Sequence, residues 1–68
     1  MAKLIIVRKR DLLEVLQALG KSTSPPFFVV KPYNNGFQVS PVDPLATGFR
    51  EVVDHLRKRR HLGYPRYL

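Results

Sequence analysis

The chain has 68 residues, and its 12 Lys and Arg against 5 Asp and Glu give a formal net charge of +7, with no cysteine. That length allows one small domain and excludes a multi-domain enzyme; the lack of cysteine excludes a disulfide framework, a zinc ribbon and a thiol nucleophile. A fold of this size removes only about 60% of its unfolded surface from water, so a partner adds useful stability. No apolar run approaches the roughly 20 residues of a membrane span, and the apolar stretch after Met1-Ala2-Lys3 is too short for a signal peptide. A cytoplasmic protein with no membrane partner is expected.

Lys3-Leu4-Ile5-Ile6-Val7-Arg8 is a β-branched run closed by charge, which predicts a first strand. Asp11 then precedes Leu12, Leu13, Val15, Leu16 and Leu19 at helical spacing, and Glu14 follows it by three as in a capping box. The pattern predicts a helix with Asp11 as N-cap. Gly20 offers the left-handed residue that ends a helix, and Lys21 to Pro26 is a polar, proline-closed connection. Phe27 to Tyr33 and Phe37 to Ser40 are β-prone runs around Asn34-Asn35-Gly36, a turn that needs positive φ, and together they predict a hairpin. The preferred loop is Asn35-Gly36, which puts Phe28, Val30, Phe37 and Val39 on one face; a longer loop from Asn34 would group Val29 and Tyr33 with Phe37 and Val39 instead. Pro32 cannot donate to a ladder, which assigns the second strand to a sheet edge.

Pro41 to Gly48 is a turn-rich link, after which Phe49, Val52, Val53 and Leu56 trace one side of a second helix. Thr47 or Gly48 caps it, and Gly63 followed by Pro65 ends it. Residues 1–63 therefore form one small domain, and 64–68 are a tail or a short last strand. The class is α+β with order β-α-β-β-α. With the second strand at an edge, the first lies beside the third in a split βαβ, both helices cover one face, and an optional last strand adds beside the first. This arrangement is ferredoxin-like. It hosts RNA-recognition motifs, metal chaperones, regulators and enzymes, so function must be argued from the site. The aromatic-glycine signature of an RNA-recognition motif is not found in Phe37-Gln38-Val39-Ser40.

Charge gathers in two clusters, Arg8-Lys9-Arg10 and Arg57-Lys58-Arg59-Arg60, while Pro25 to Gly48 carries only Lys31 and Asp43. The predicted topology brings the first strand's end, the Asn34-Asn35 turn and the second helix's end to one pole, where all seven cations would converge. Four consecutive residues sweep about 300° around a helix, so a solvated helix end explains part of the second cluster. Arg8-Lys9-Arg10 precedes a helix N-terminus, where positive charge opposes the dipole, and this argues for a ligand outside the fold's own stability.

The expected function is a small nucleic-acid-binding domain for DNA or RNA, sequence-tolerant, reading phosphates with Arg8, Lys9, Arg10, Arg57, Lys58 and Arg59. Asn34 and Asn35 add short polar groups; of the rings Tyr33, Tyr64 and Tyr67, Tyr33 or Tyr67 stacks on bases. The sheet face away from the helices must carry aromatic and β-branched residues, which predicts a homo-oligomer, and a protein-interaction module or oligomeric regulator is the alternative. A small metal-independent ribonuclease using His55 is a third reading. His55 and His61 lie about 120° apart around the helix, unlike the spacing of helical metal ligands, so no metal, cofactor or catalytic set is assigned.

Overall fold

The computed structural model describes residues 4–60 and 64–68. Its elements run β1 (Ile5–Arg8), a 3₁₀ turn (Lys9–Asp11), α1 (Leu12–Ser22), β2 (Phe28–Tyr33), β3 (Gly36–Pro41), α2 (Phe49–Arg60) and β4 (Arg66–Tyr67). The sheet order is β2-β3-β1-β4, and every neighbouring pair is antiparallel. This is the α+β, ferredoxin-like arrangement that the sequence predicts, with the optional last strand formed beside β1. The Leu68 N–H donates to the Leu4 carbonyl at 3.0 Å and extends that pairing by a residue. Among the described residues, no helix is long and apolar enough to cross a membrane.

The core follows from two periods. In the sheet, Ile5 lies opposite Val39 and Val7 opposite Phe37, so these side chains share a face. Val15 and Leu19 on α1 meet them from above, as do Phe49, Val53 and Leu56 on α2, and all of these except Phe37 are nearly or fully buried. Phe28 joins from the edge strand, its ring centroid 6.3 Å from that of Phe49. Each fully buried side chain of this kind stabilises the fold by about 1.5–3 kcal/mol. Losing one is a large fraction of the roughly 3–10 kcal/mol that a chain of this length commands.

Three local expectations are corrected. The hairpin closes through Tyr33 paired with Gly36, so its loop is Asn34-Asn35 rather than Asn35-Gly36. Gly36 is held in the ladder because a Cβ there would collide with the Val7 carbonyl oxygen, and Asn34 takes the left-handed conformation instead, at φ 50°. Moving the loop by one residue changes each pairing by two, so Phe28, Val30, Phe37 and Val39 still share a face, as preferred. Gly20 does not end α1: the helix continues to Ser22, where the Thr23 N–H donates to the Leu19 carbonyl at 2.8 Å before the chain reaches Pro25 and Pro26. Asp11 occupies the N-cap position but makes no side-chain capping bond, because it has a helical backbone in the 3₁₀ turn. The expected stop of α2 at Gly63 lies outside the described residues.

At the lower end, Ser24 and Thr47 exchange backbone hydrogen bonds of 3.0 and 3.1 Å, tying the two links together. Gly48 beside them has φ 85°, and its missing side chain admits the Ser22 carbonyl. At the upper end lie the Lys9–Asp11 turn, the Asn34-Asn35 turn and the start of β4. β1 and β2 both run toward this end, since each is antiparallel to β3.

Candidate nucleic-acid interface

Because the helices cover the face of Ile5, Val7 and Val39, the alternate residues line a face that neither helix covers among the described residues. Register arranges them in rows across the strands. Tyr33, Gly36 and Arg8 form the uppermost row, and Lys31, Gln38, Ile6 and Arg66 form the next. Val29 and Ser40 follow. Just past the hairpin's open end, Phe27 and Val42 are joined by a 3.1 Å backbone hydrogen bond. The surface thus changes character along the strands. Its upper rows hold cations, an amide and a tyrosine, while Phe27, Val29 and Val42 below are 66%, 40% and 58% exposed.

A recess of about 220 Å³ opens in the upper rows, lined among others by Arg8, Tyr33, Asn34, Asn35, Tyr64 and Arg66. Gly36 sits between Tyr33 and Arg8 and leaves the notch between them empty of side chain. Two guanidinium groups approach the Tyr64 ring, Arg8 at 5.2 Å and Arg66 at 5.9 Å from its centroid, both within cation–π range. Arg8 is held from a second side, where its Nε donates to Asp11 Oδ2 at 2.9 Å. The 3₁₀ turn brings Asp11 back onto Arg8, and the carboxylate is buried there.

This pair revises the reading of Arg8-Lys9-Arg10 as charge with no structural reason. Arg8 is neutralised locally by Asp11, while Lys9 and Arg10 are exposed. Lys9 lies across the hairpin turn from Arg8, in a second recess with Pro32 and Phe37, so Asn34 and Asn35 border both.

The α2 cations share the upper end by topology but splay around the helix rather than converging on one surface. Arg57 reaches the Tyr67 ring at 5.6 Å, with Arg50 on the same ring at 5.5 Å. Arg57 also lines, with Lys58, Glu51, Asp54 and His55, a recess on α2. Arg59 turns toward the groove between the helices, near Ala18, Lys21 and Leu56. Tyr67 is paired with Ile5 in the sheet and so faces the helices. Its hydroxyl lies 3.2 Å from Asp54 Oδ1 and 3.3 Å from the Arg50 carbonyl, a fastening of β4 to α2. Burial raises the Tyr67 phenol pKa above its ordinary value, as do the charge and hydrogen bond of Asp54, with Arg50 and Arg57 opposing. Of the stacking candidates, Tyr33 is on the open face and Tyr67 is engaged by α2.

Lys31, Gln38 and Arg66 belong to the open face and were not among the sequence-derived candidates. Strand alternation already links Lys31 with Tyr33, whereas Arg66 needed the existence and register of β4. His55 is exposed, His61 lies outside the described residues, and among those described no three His, Cys, Asp or Glu gather as metal ligands. No protein-family model matches the chain, and no match is found among curated proteins or solved structures.

Proposed function

We propose that this is a nucleic-acid-binding domain that grips the phosphate backbone of DNA or RNA at the upper half of its open sheet face. The observation that carries the reading is Tyr64 approached by Arg8 and Arg66 on a face that neither helix covers. Arginine offers a planar fork of donors suited to phosphate, and an aromatic partner orients the guanidinium before the ligand arrives. Lys31 continues the charge down the face; Lys9, Arg10 and the α2 cations surround it with a broader field that steers a polyanion toward it.

A titration of duplex and single-stranded DNA and RNA over several salt concentrations tests this. Log K falls against log salt by roughly 0.7–0.9 per phosphate contact, and Arg66→Ala flattens the slope by about one contact. Tight binding with a slope near one in the native protein, or no binding, ends the reading. RNA cleavage that disappears in His55→Ala would replace it with the ribonuclease.

A second property is supported by a separate observation. The exposed Phe27, Val29 and Val42 form an apolar end to the same face, and we propose that copies of the chain associate through it. A regulator with no nucleic-acid role would use the same surface.

A further inference from the structure

We propose that the recess takes an unpaired nucleotide, with a base seated against Tyr64 and Tyr33 over Gly36 and the neighbouring phosphates on Arg8 and Arg66, so that single strands are bound in preference to duplex. This rests on the nucleic-acid reading above and adds the strand state that the site selects.

Three observations lead there. First, the groups around the recess are flat: two phenol rings and two guanidinium planes, all able to stack on a base. Orienting the guanidinium groups for phosphate accounts for Tyr64 but gives Tyr33, across the recess, no role. Second, the notch is built into the backbone. Gly36 stands in register between Tyr33 and Arg8, and the close Val7 carbonyl keeps any Cβ out of that position. The gap is therefore a fixed feature with Ile6, only 6% exposed, lining it. Third, Arg8 is pre-positioned by Asp11 as well as by Tyr64, so its ordering cost is met before a ligand arrives.

A paired base cannot use such a site. In a duplex its faces are covered by neighbouring base pairs, and extruding it costs a few kcal/mol. An unpaired base has its faces free, and Asn34 and Asn35 at the rim carry both donors and acceptors for its edge.

The experiment uses the whole chain and three probes of equal length: oligothymidylate, the same backbone with abasic sites, and a DNA duplex. With no Trp, the intrinsic fluorescence comes from three tyrosines, and labelled-probe anisotropy gives a second readout. Oligothymidylate is expected to bind about tenfold or more tighter than either other probe and to quench the tyrosine emission. Tyr64→Leu weakens oligothymidylate by about 5- to 150-fold, the equivalent of stacking worth ~1–3 kcal/mol, and weakens the abasic strand, which loses only the ordering of Arg8 and Arg66, by a clearly smaller factor. If that variant does not fold, by circular dichroism, the abasic comparison on the native protein decides. Equal affinity for abasic and base-bearing strands, or duplex bound as tightly as single strand, overturns the proposal; a retained steep salt slope would then leave the phosphate reading standing. Failure of all three probes and of RNA to bind removes both.

Discussion

Replacing Arg8 by methionine tests how far the charge of one three-residue cluster is also built into the fold. Methionine keeps an apolar stem of comparable length but removes the guanidinium from an Asp11 side chain only 7% exposed. Breaking a fully buried pair by removing one partner costs about 3–5 kcal/mol, yet the Arg8 side chain is 27% exposed and solvent screens part of the loss. A hydrogen bond to a charged group is worth about 1.5–3 kcal/mol, which is the better guide here. For a domain of this size each kcal/mol moves the midpoint by about 4–8 °C, so Arg8→Met lowers Tm by roughly 6–24 °C. Lys9→Met and Arg10→Met touch exposed side chains beside a helix N-terminus and shift it by less than about 4 °C, in either direction. Circular-dichroism melts of the three variants give the comparison. The double variant Arg8→Met/Asp11→Asn measures the pair itself and should show coupling of about 1 kcal/mol or more. An Arg8→Met midpoint indistinguishable from that of Lys9→Met, together with coupling below about 0.5 kcal/mol, would refute the assignment of Arg8 as a locally balanced anchor.

The strand and helix order was legible because each element carries its own period. Ile5 and Val7 alternate with Ile6 and Arg8, the α2 apolar residues recur at helical spacing, and Pro32 marks the sheet edge. The hairpin face survived an error in the loop because a two-residue change of register returns every side chain to the same side. What was not legible depends on contacts between distant segments. The position of Gly36 is set by the Val7 carbonyl, and the partnership of Arg8 with Tyr64 joins the first strand to the segment just before the last. Topology alone correctly put the basic clusters at one end of the molecule. It could not say which side of that end each cation faces, since α2 turns about 100° per residue and takes Arg59 to the groove between the helices, away from the recess that Arg57 and Lys58 share.

Two further outcomes follow from the same geometry. The Tyr67 phenol titrates above its ordinary value of 10, chiefly through burial and Asp54, so the fold favours its neutral form. That contribution is complete below about pH 10 and is lost as pH rises through the folded value, so native stability should fall in that range more steeply than that of Tyr67→Phe. Parallel stability curves for the two proteins, with no delayed phenolate absorbance lost in the variant, would contradict it. Self-association is distinguished from nucleic-acid binding by the sign of its salt dependence: copies carrying +7 repel, so salt that screens them tightens an apolar contact, whereas salt weakens binding to a polyanion. Phe28 is committed to the core against Phe49, but Phe27 is two-thirds exposed, and burying such a ring contributes about 1.5–3 kcal/mol per copy. Sedimentation over a wide concentration range should therefore show a dimer that strengthens with salt and weakens about tenfold or more in Phe27→Lys, with the salt slope for single strands unchanged. A monomer at every salt and concentration would mean that Phe27, Val29 and Val42 do not form a self-association surface.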